Sequence, residues 1–186
     1  MKFVAGVDEV GRGSLIGPVY AAAVILNKSI NKKILKDSKK LSKSKREILA
    51  KYIKKNSTWA IGKASIEEIE KKNILKASLL AMKRAIIKLK KKPTKVLIDG
   101  NKLPNLKNYN LHFVVKGDDK IPSISAASIL AKVARDSFIS NLGKKYKGYF
   151  WCQNSGYGTK QHLRAIKKLG ITIHHRKTFS PISKLR

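Results

Sequence analysis

The stretch FVAGVDEVGRG, residues 3–13, decides how this chain folds. Its first five residues form an apolar run typical of a buried strand, and the acidic pair Asp8 and Glu9 follows at the strand end. Glycines on both sides of Arg12 allow the backbone to approach a ligand closely, while the guanidinium binds phosphate. An ordinary turn is the alternative, because Asp and Gly both favour turns. The stretch therefore predicts either a plain turn or the metal and phosphate contacts of a nuclease.

Beyond this stretch, predicted strands and helices alternate, which favours a mixed α/β fold. Apolar runs predict strands at residues 3–7, 18–26, 58–64, 96–98 and 111–115. Capping residues and helical periodicity predict helices that follow Ser42, Ser65 and Ser123, and a last helix at about residues 159–169. The second helical region is expected to break near Asn73 and to stop at Pro93. With no internal repeat or long linker, residues 1–186 are expected to form one compact domain.

The composition points to a polyanionic partner. The net charge is +31, and a field of this strength attracts nucleic acid. Because 35 of the 42 basic residues are lysines, a genome-wide lysine bias is the competing explanation. The single cysteine, Cys152, excludes a disulfide framework and a cysteine-based zinc site. The first apolar run is short and acids interrupt it, and no run approaches the ~20 residues of a membrane helix. We therefore expect a cytoplasmic protein with no membrane partner.

Four of the eleven acidic residues end a predicted strand or lie in the turn after one: Asp8, Glu9, Asp99 and Asp118. In open α/β sheets, ligands bind outside the carboxyl ends of strands. Four carboxylates in one cleft would raise one another's pKa unless cations were bound. Oxygen ligands favour Mg²⁺ or Mn²⁺, and two ions about 4 Å apart activate water and stabilise a leaving oxygen. Any one of these acids alone is more typical of a turn, and spacing leaves open whether the strand ends are neighbours.

The sequence closely resembles the ribonuclease HII family, the type 2 ribonucleases H. The matching blocks follow the family order: DEVGRG at residues 8–13, DSKKLS at 37–42, VLIDGN at 96–101, KGDDKIPSISAASILAKVARD at 116–136, GYGT at 156–159 and HHRKTF at 174–179. They span nearly the whole chain, and chance would not produce six ordered blocks. The catalytic block begins at residue 8, so we expect type HII rather than type HIII, which has an additional N-terminal domain.

The resemblance implies a ribonuclease H-like fold, in which a mixed central sheet is flanked by helices and a helical C-terminal part, about residues 143–186, contacts substrate. It also implies an endonuclease that hydrolyses the RNA strand of RNA–DNA hybrids. Single ribonucleotides embedded in duplex DNA are implied substrates too, as in ribonucleotide excision repair and DNA replication. Cleavage on the 5′ side of the ribonucleotide would leave a 3′-hydroxyl and a 5′-phosphate. The implied cofactors are two Mg²⁺ or Mn²⁺ ions, and the implied state is a monomer.

The resemblance assigns catalysis and metal binding to the same four acids that end the strands. Recognition of the 2′-hydroxyl, which separates RNA from DNA, falls on Gly11, Arg12, Gly13 and Tyr157. Further implied substrate contacts are Lys39, Lys40, Ser125 and Lys132. Arg135 is expected to be structural. Asn154 and Ser155 replace the usual His-Lys pair of the family, which puts phosphate binding there in doubt.

Two other functions compete with this interpretation. A basic nucleic-acid-binding protein without activity would explain the charge, but it would gain nothing from clustered acids beside its ligand. A related metal nuclease that cleaves junctions would use the acids, but it would not need Tyr157 and the Gly-Arg-Gly turn. His174, His175 and Cys152 receive no functional role, because no ligand spacing or positioned base accompanies them.

Overall fold

The computed structural model describes residues 3–35 and 41–185, and its centre is a five-stranded sheet in the order β3-β2-β1-β4-β5. The strands are β1 (Val4–Val10), β2 (Val19–Leu26), β3 (Ser57–Ala64), β4 (Lys95–Asp99) and β5 (Leu111–Val114). The first three strands pair antiparallel, whereas β4 is parallel to β1 and β5 is parallel to β4. The expected mixed sheet is confirmed.

Helices lie on both sides of this sheet and at the C-terminal end of the chain. They are α1 (Lys43–Lys55), α2 (Ile66–Lys72), α3 (Ile74–Ile87), α4 (Gly117–Lys120), α5 (Pro122–Lys145), α6 (Trp151–Asn154) and α7 (Lys160–Leu169), with 3-10 turns at Lys32–Leu35 and Ile182–Lys184. In the described part of the chain, no helix has both the length and the apolarity that a membrane span requires.

Two of the three predicted serine caps are confirmed. Ser42 accepts a hydrogen bond from the Lys45 amide, and Ser65 forms a reciprocal capping box with Glu68. The third cap was predicted wrongly, because α5 begins at Pro122 and Ser123 lies inside it. Proline suits the first helical position, since its fixed φ is helical and it has no N–H to satisfy.

The break expected near Asn73 is present, where that residue has a positive φ of 69° between α2 and α3. The helical region ends earlier than predicted. It stops at Ile87, six residues before the proline that was expected to end it.

Side chains alternate between the two faces of β1, and each face packs against a different long helix. Ala5 and Val7 belong to a core cluster with α3, whereas residues of α5 pack with alternate residues of β2 on the other face. Gly6 allows α5 to lie directly on the strand, because a Cβ there would come within 2.1 Å of the Ser123 carbonyl carbon. The helix α5 therefore lies close to Asp8, two residues further along the same face.

A third cluster joins the C-terminal helices to the segment at residues 14–17. The Leu15 amide donates to the Gly156 carbonyl and the Gly17 amide donates to the His174 carbonyl, each at 2.9 Å. The segment is thus held between two C-terminal loops. The expected helical C-terminal part is confirmed.

Buried histidines lie inside this third cluster rather than near the acids. The Trp151 indole donates to His162 Nε2 at 2.9 Å, and the rings of His162 and His175 are 5.5 Å apart. Burial is the main cause that lowers the pKa of both, and it brings the pKa of His175 to about 4. These imidazoles are therefore neutral at physiological pH and act as packed aromatic rings.

Candidate active site

Three of the four predicted acids lie on two neighbouring parallel strands. β1 extends to Val10, so Asp8 and Glu9 lie within the strand rather than just after it. Val7 pairs with Ile98 of β4, and Asp99 is the last residue of β4, one position further along. Because β1, β4 and β5 are adjacent and parallel, their carboxyl ends form one edge of the sheet.

Asp99 connects this edge to Asp118. Its Oδ1 accepts hydrogen bonds from the Gly117 amide at 2.7 Å and from the Asp118 amide at 3.4 Å. The carboxylate therefore caps the short helix α4, which begins after Lys116 in a left-handed conformation. Four residues are too few to produce a periodic sequence pattern, so this helix was not predicted.

Asp99 lies close enough to Asp8 and Glu9 to affect the ionisation of both. Burial raises the pKa of Asp8 well above its ordinary value, and repulsion from Glu9 and Asp99 raises it further. Hydrogen bonds from Ser128 of α5 and from the Glu9 amide partly oppose this rise. Burial also raises the pKa of Glu9, against the attraction of Arg12. Repulsion of the kind expected for clustered carboxylates therefore acts on Asp8 and Glu9.

The chemistry of these acids fits a hard divalent cation, although their side chains are not arranged around one. Glu9 accepts a hydrogen bond from Arg12 Nη1 at 3.2 Å. Within residues 3–35 and 41–185, no group of three or more Asp, Glu, His or Cys side chains is placed to hold one ion. A cation would relieve the repulsion that raises the pKa of Asp8.

A cleft of about 250 Å³ lies beside the acids, on the side of α3. Its lining residues are Glu9, Arg12, Leu75, Ser78, Leu79, Met82, Asp99, Gly100, Asn101 and Lys102. A larger cavity of about 560 Å³, lined by Phe3, Ile25 and Thr58 among others, has no acidic residue among its described lining. The smaller cleft is therefore the one that suits phosphodiester chemistry.

The two glycines of the Gly-Arg-Gly turn differ in what the fold demands of them. Gly11 has a φ of +93°, and a Cβ at this position would lie 2.2 Å from Nε of the buried Arg135. Gly13 has no atom within 4 Å of such a Cβ and is exposed. The fold therefore requires glycine at Gly11 but not at Gly13.

Tyr157 lies half-buried in the loop before α7, and two cations lie near its ring. Arg135 Cζ is 5.5 Å from the ring centroid and Lys132 Nζ is 5.7 Å from it. Asn154 shapes the loop, since its side chain donates to the Tyr149 carbonyl and accepts from the Gly156 amide. The residue that replaces the histidine of the usual pair therefore has a structural role in this chain.

One face of α5 connects the acids to Tyr157. Ser128 bonds Asp8, whereas Lys132 and Arg135 lie near the tyrosine ring. The spacing i, i+4, i+7 places these three residues on one helix face. Seven residues of helix span about 10 Å, so the two parts of the site are held at a fixed separation. Sequence reasoning missed the role of Ser128, although the i, i+4, i+7 spacing was visible. Arg135 was expected to be structural, and its side chain is fully buried.

The other predicted substrate contacts, Ser125, Lys132, Lys39 and Lys40, remain predictions. Ser125 is buried, and its hydroxyl donates to the Leu35 carbonyl, just before the DSKKLS block. Lys132 forms an ion pair of 2.9 Å with Asp136, one helical turn further along α5. Lys39 and Lys40 lie outside the described residues.

Comparisons with known proteins agree with the predicted family. The family model described as Ribonuclease HII matches residues 5–181. The chain is 75% identical over 185 residues to the ribonuclease HII of Pelagibacter ubique, with 100% of each chain covered.

Solved structures agree with this result. The ribonuclease H2 of Pyrococcus horikoshii superimposes with a TM-score of 0.83 at 27% identity, covering 98% of this chain and 96% of that one. The RNase HII of Archaeoglobus fulgidus, solved in complex with PCNA, gives a TM-score of 0.72 at 28% identity, with 95% of each chain covered. The chain therefore belongs to the ribonuclease HII family and is a ribonuclease, an endonuclease that acts on the RNA of RNA–DNA hybrids.

Proposed function

We propose that this ribonuclease also cleaves duplex DNA at single embedded ribonucleotides, on their 5′ side, leaving a 3′-hydroxyl and a 5′-phosphate. The observation that carries the proposal is the shared face of α5, where Ser128 bonds Asp8 and Arg135 lies against Tyr157. An acid cluster for hydrolysis and an aromatic ring for one sugar thus lie at a short, rigid separation. Such an arrangement suits recognition of one ribose rather than of a long helix.

Asp8, Glu9, Asp99 and Asp118 are the residues proposed to hold two Mg²⁺ or Mn²⁺ ions. Bound ions of this kind activate the attacking water and stabilise the leaving oxygen. The chain itself contributes orientation, because Asp99 is fixed by the amides of α4. Arg12 forms an ion pair with Glu9 in the free protein and is half-exposed, so a substrate phosphate can bind its guanidinium instead.

The exposed turn and Tyr157 are proposed to read the 2′-hydroxyl. Because the fold leaves open space at Gly13, the backbone there is free to approach a sugar. Tyr157 would place its ring under the same sugar, with Lys39, Lys40, Ser125 and Lys132 as further contacts. The lysine-rich surface supplies most of the affinity for the duplex, so this affinity should fall as the salt concentration rises.

Membership of the family makes the chain an enzyme rather than the purely binding protein considered above. We further propose that it works in the cytoplasm as a monomeric catalytic domain. The C-terminal part, about residues 143–186, would contact the duplex. Sedimentation with and without duplex tests the oligomeric state. Because the Archaeoglobus relative was solved in complex with PCNA, a protein of that kind is the partner to include in that measurement.

The decisive assay uses duplex DNA that carries one ribonucleotide, with an all-DNA duplex and EDTA as controls. We expect cleavage 5′ of the ribonucleotide that needs Mg²⁺ or Mn²⁺, while the all-DNA duplex stays intact. Asp118→Asn should abolish cleavage, whereas the neighbouring Asp119→Asn is the matched control and should retain it. Cleavage of long hybrids without cleavage of the single-ribonucleotide duplex would refute the proposal.

A further inference from the structure

Two buried arginines lie beneath the elements proposed to read the 2′-hydroxyl. Arg135 and Arg176 are both 0% exposed, which is rare for a charged side chain. Burial lowers the pKa of both, and the pKa of Arg176 falls to about 9 with repulsion from Arg135 as a second cause. Among the described atoms, Arg135 Nε and Arg176 Nη2 have no hydrogen-bond partner. Burying a charged and incompletely hydrogen-bonded guanidinium destabilises the fold, and proteins keep such groups where another requirement outweighs stability.

Arg135 contacts both recognition elements at once. Its Nε and Cδ lie against Gly11, and its Cζ lies 5.5 Å from the Tyr157 ring. Its Nη1 donates to the Ser155 carbonyl at 3.1 Å and its Nη2 to the Ile16 carbonyl at 3.4 Å. One rigid guanidinium therefore spans the space between the turn and the tyrosine loop.

Arg176 holds the turn from the C-terminal segment. Its Nη1 donates to the Arg12 carbonyl and its Nε to the Gly17 carbonyl, each at 2.9 Å. The Phe179 ring supports the guanidinium from a centroid distance of 5.0 Å. The backbone of the turn is thus fixed at Arg12 itself, while the Arg12 side chain remains half-exposed for a ligand.

We propose that Arg135 and Arg176 are positioning residues that fix the distance between the Gly11-Arg12-Gly13 turn and Tyr157, and that fast cleavage at a ribonucleotide depends on them. The inference rests on the proposed function. Both guanidiniums act through the turn and the tyrosine, and neither is accessible to substrate. A planar fork donates to two carbonyls at fixed angles, and the single ammonium of lysine does not.

The test compares Arg135→Lys and Arg176→Lys with Arg84→Lys. Arg84 is a matched control, because its guanidinium also forms a bidentate contact, to Glu68, on helices away from the turn. On the single-ribonucleotide duplex we expect kcat to fall about 10- to 100-fold in the first two variants, the cost of a misplacement near 1 Å. KM should stay within about twofold, because the lysine surface still binds phosphates.

Two further measurements separate positioning from simple loss of stability. Amide hydrogen exchange at residues 11–17 and 154–157 should accelerate in the folded Arg→Lys proteins and not in the control. In a double-mutant cycle, adding Arg135→Lys to Tyr157→Ala should cost much less than it costs alone, since both act in one unit. Phe179→Leu, which keeps the guanidinium of Arg176 and removes its support, provides a milder variant if a lysine protein does not fold.

A folded Arg176→Lys or Phe179→Leu protein with wild-type kcat and unchanged exchange would overturn the inference. If the wild-type protein itself ignored the 2′-hydroxyl, the proposed function would fail first and the inference with it. Selective wild-type cleavage together with equally fast lysine variants would refute the positioning role alone.

Discussion

Replacing Gly13 by alanine separates the needs of the fold from the needs of the substrate. A Cβ at Gly13 meets no protein atom within 4 Å, and this glycine has no positive φ. The substitution should leave the free energy of unfolding unchanged or raise it by up to about 1 kcal/mol, because alanine restricts the unfolded chain. Cleavage should still fall by about tenfold or more, since the methyl group occupies the space proposed for the sugar, and about 1.4 kcal/mol of lost transition-state binding suffices for tenfold.

Gly11→Ala provides the contrast within the same turn. The left-handed backbone costs about 1–2 kcal/mol, and the clash with the immobile Arg135 adds about 1–3 kcal/mol, so a loss of roughly 2–5 kcal/mol is expected. Both variants can be measured by urea unfolding, followed through the fluorescence of the buried Trp151. Cleavage of the single-ribonucleotide duplex is then measured under conditions where each variant is folded.

The reasoning would be refuted by either of two results. Wild-type cleavage by Gly13→Ala would mean that substrate does not approach this glycine. A stability loss in Gly13→Ala as large as that in Gly11→Ala would mean that the turn has a different shape.

Three further outcomes are expected. Asp8→Asn should abolish cleavage yet stabilise the metal-free protein at neutral pH, because it removes a buried carboxylate whose pKa is raised by burial. Mg²⁺ should raise the urea midpoint of the wild-type protein and not that of the variant. Equal increases in the two proteins would contradict the metal assignment. The lowered pKa of His175 means that the unfolded chain binds more protons, so stability should fall by up to about 1.4 kcal/mol per pH unit as pH drops from about 6.5 towards 4. His175→Asn should flatten that dependence and the exposed His112→Asn should not; equal pH curves for wild type and His175→Asn would be the contrary result. Ser65→Ala should cost about 1 kcal/mol by loss of the capping box without changing cleavage, and an unshifted urea midpoint would contradict this.

Local signals predicted the elements that depend on a few consecutive residues. The apolar runs located the strands, and Ser42 and Ser65 located two helix starts, because caps and periodicity act within one or two turns. The Ser123 cap was predicted wrongly because Pro122, one residue earlier, is the stronger signal for the start of a helix. The helix α4 was missed because four residues produce no periodic pattern and because its cap, Asp99, lies eighteen positions before Gly117.

The sequence by itself determined the acid types, their association with three of the strands, the glycine-flanked arginine and the family. Only the tertiary structure decided that β1, β4 and β5 are neighbours, that Ser128 bonds Asp8, and that Arg176 holds the Arg12 carbonyl. The last two of these contacts join residues 120 and 164 positions apart. Periodicity and capping report only on a residue's immediate neighbours, whereas such contacts arise when the sheet and α5 pack together.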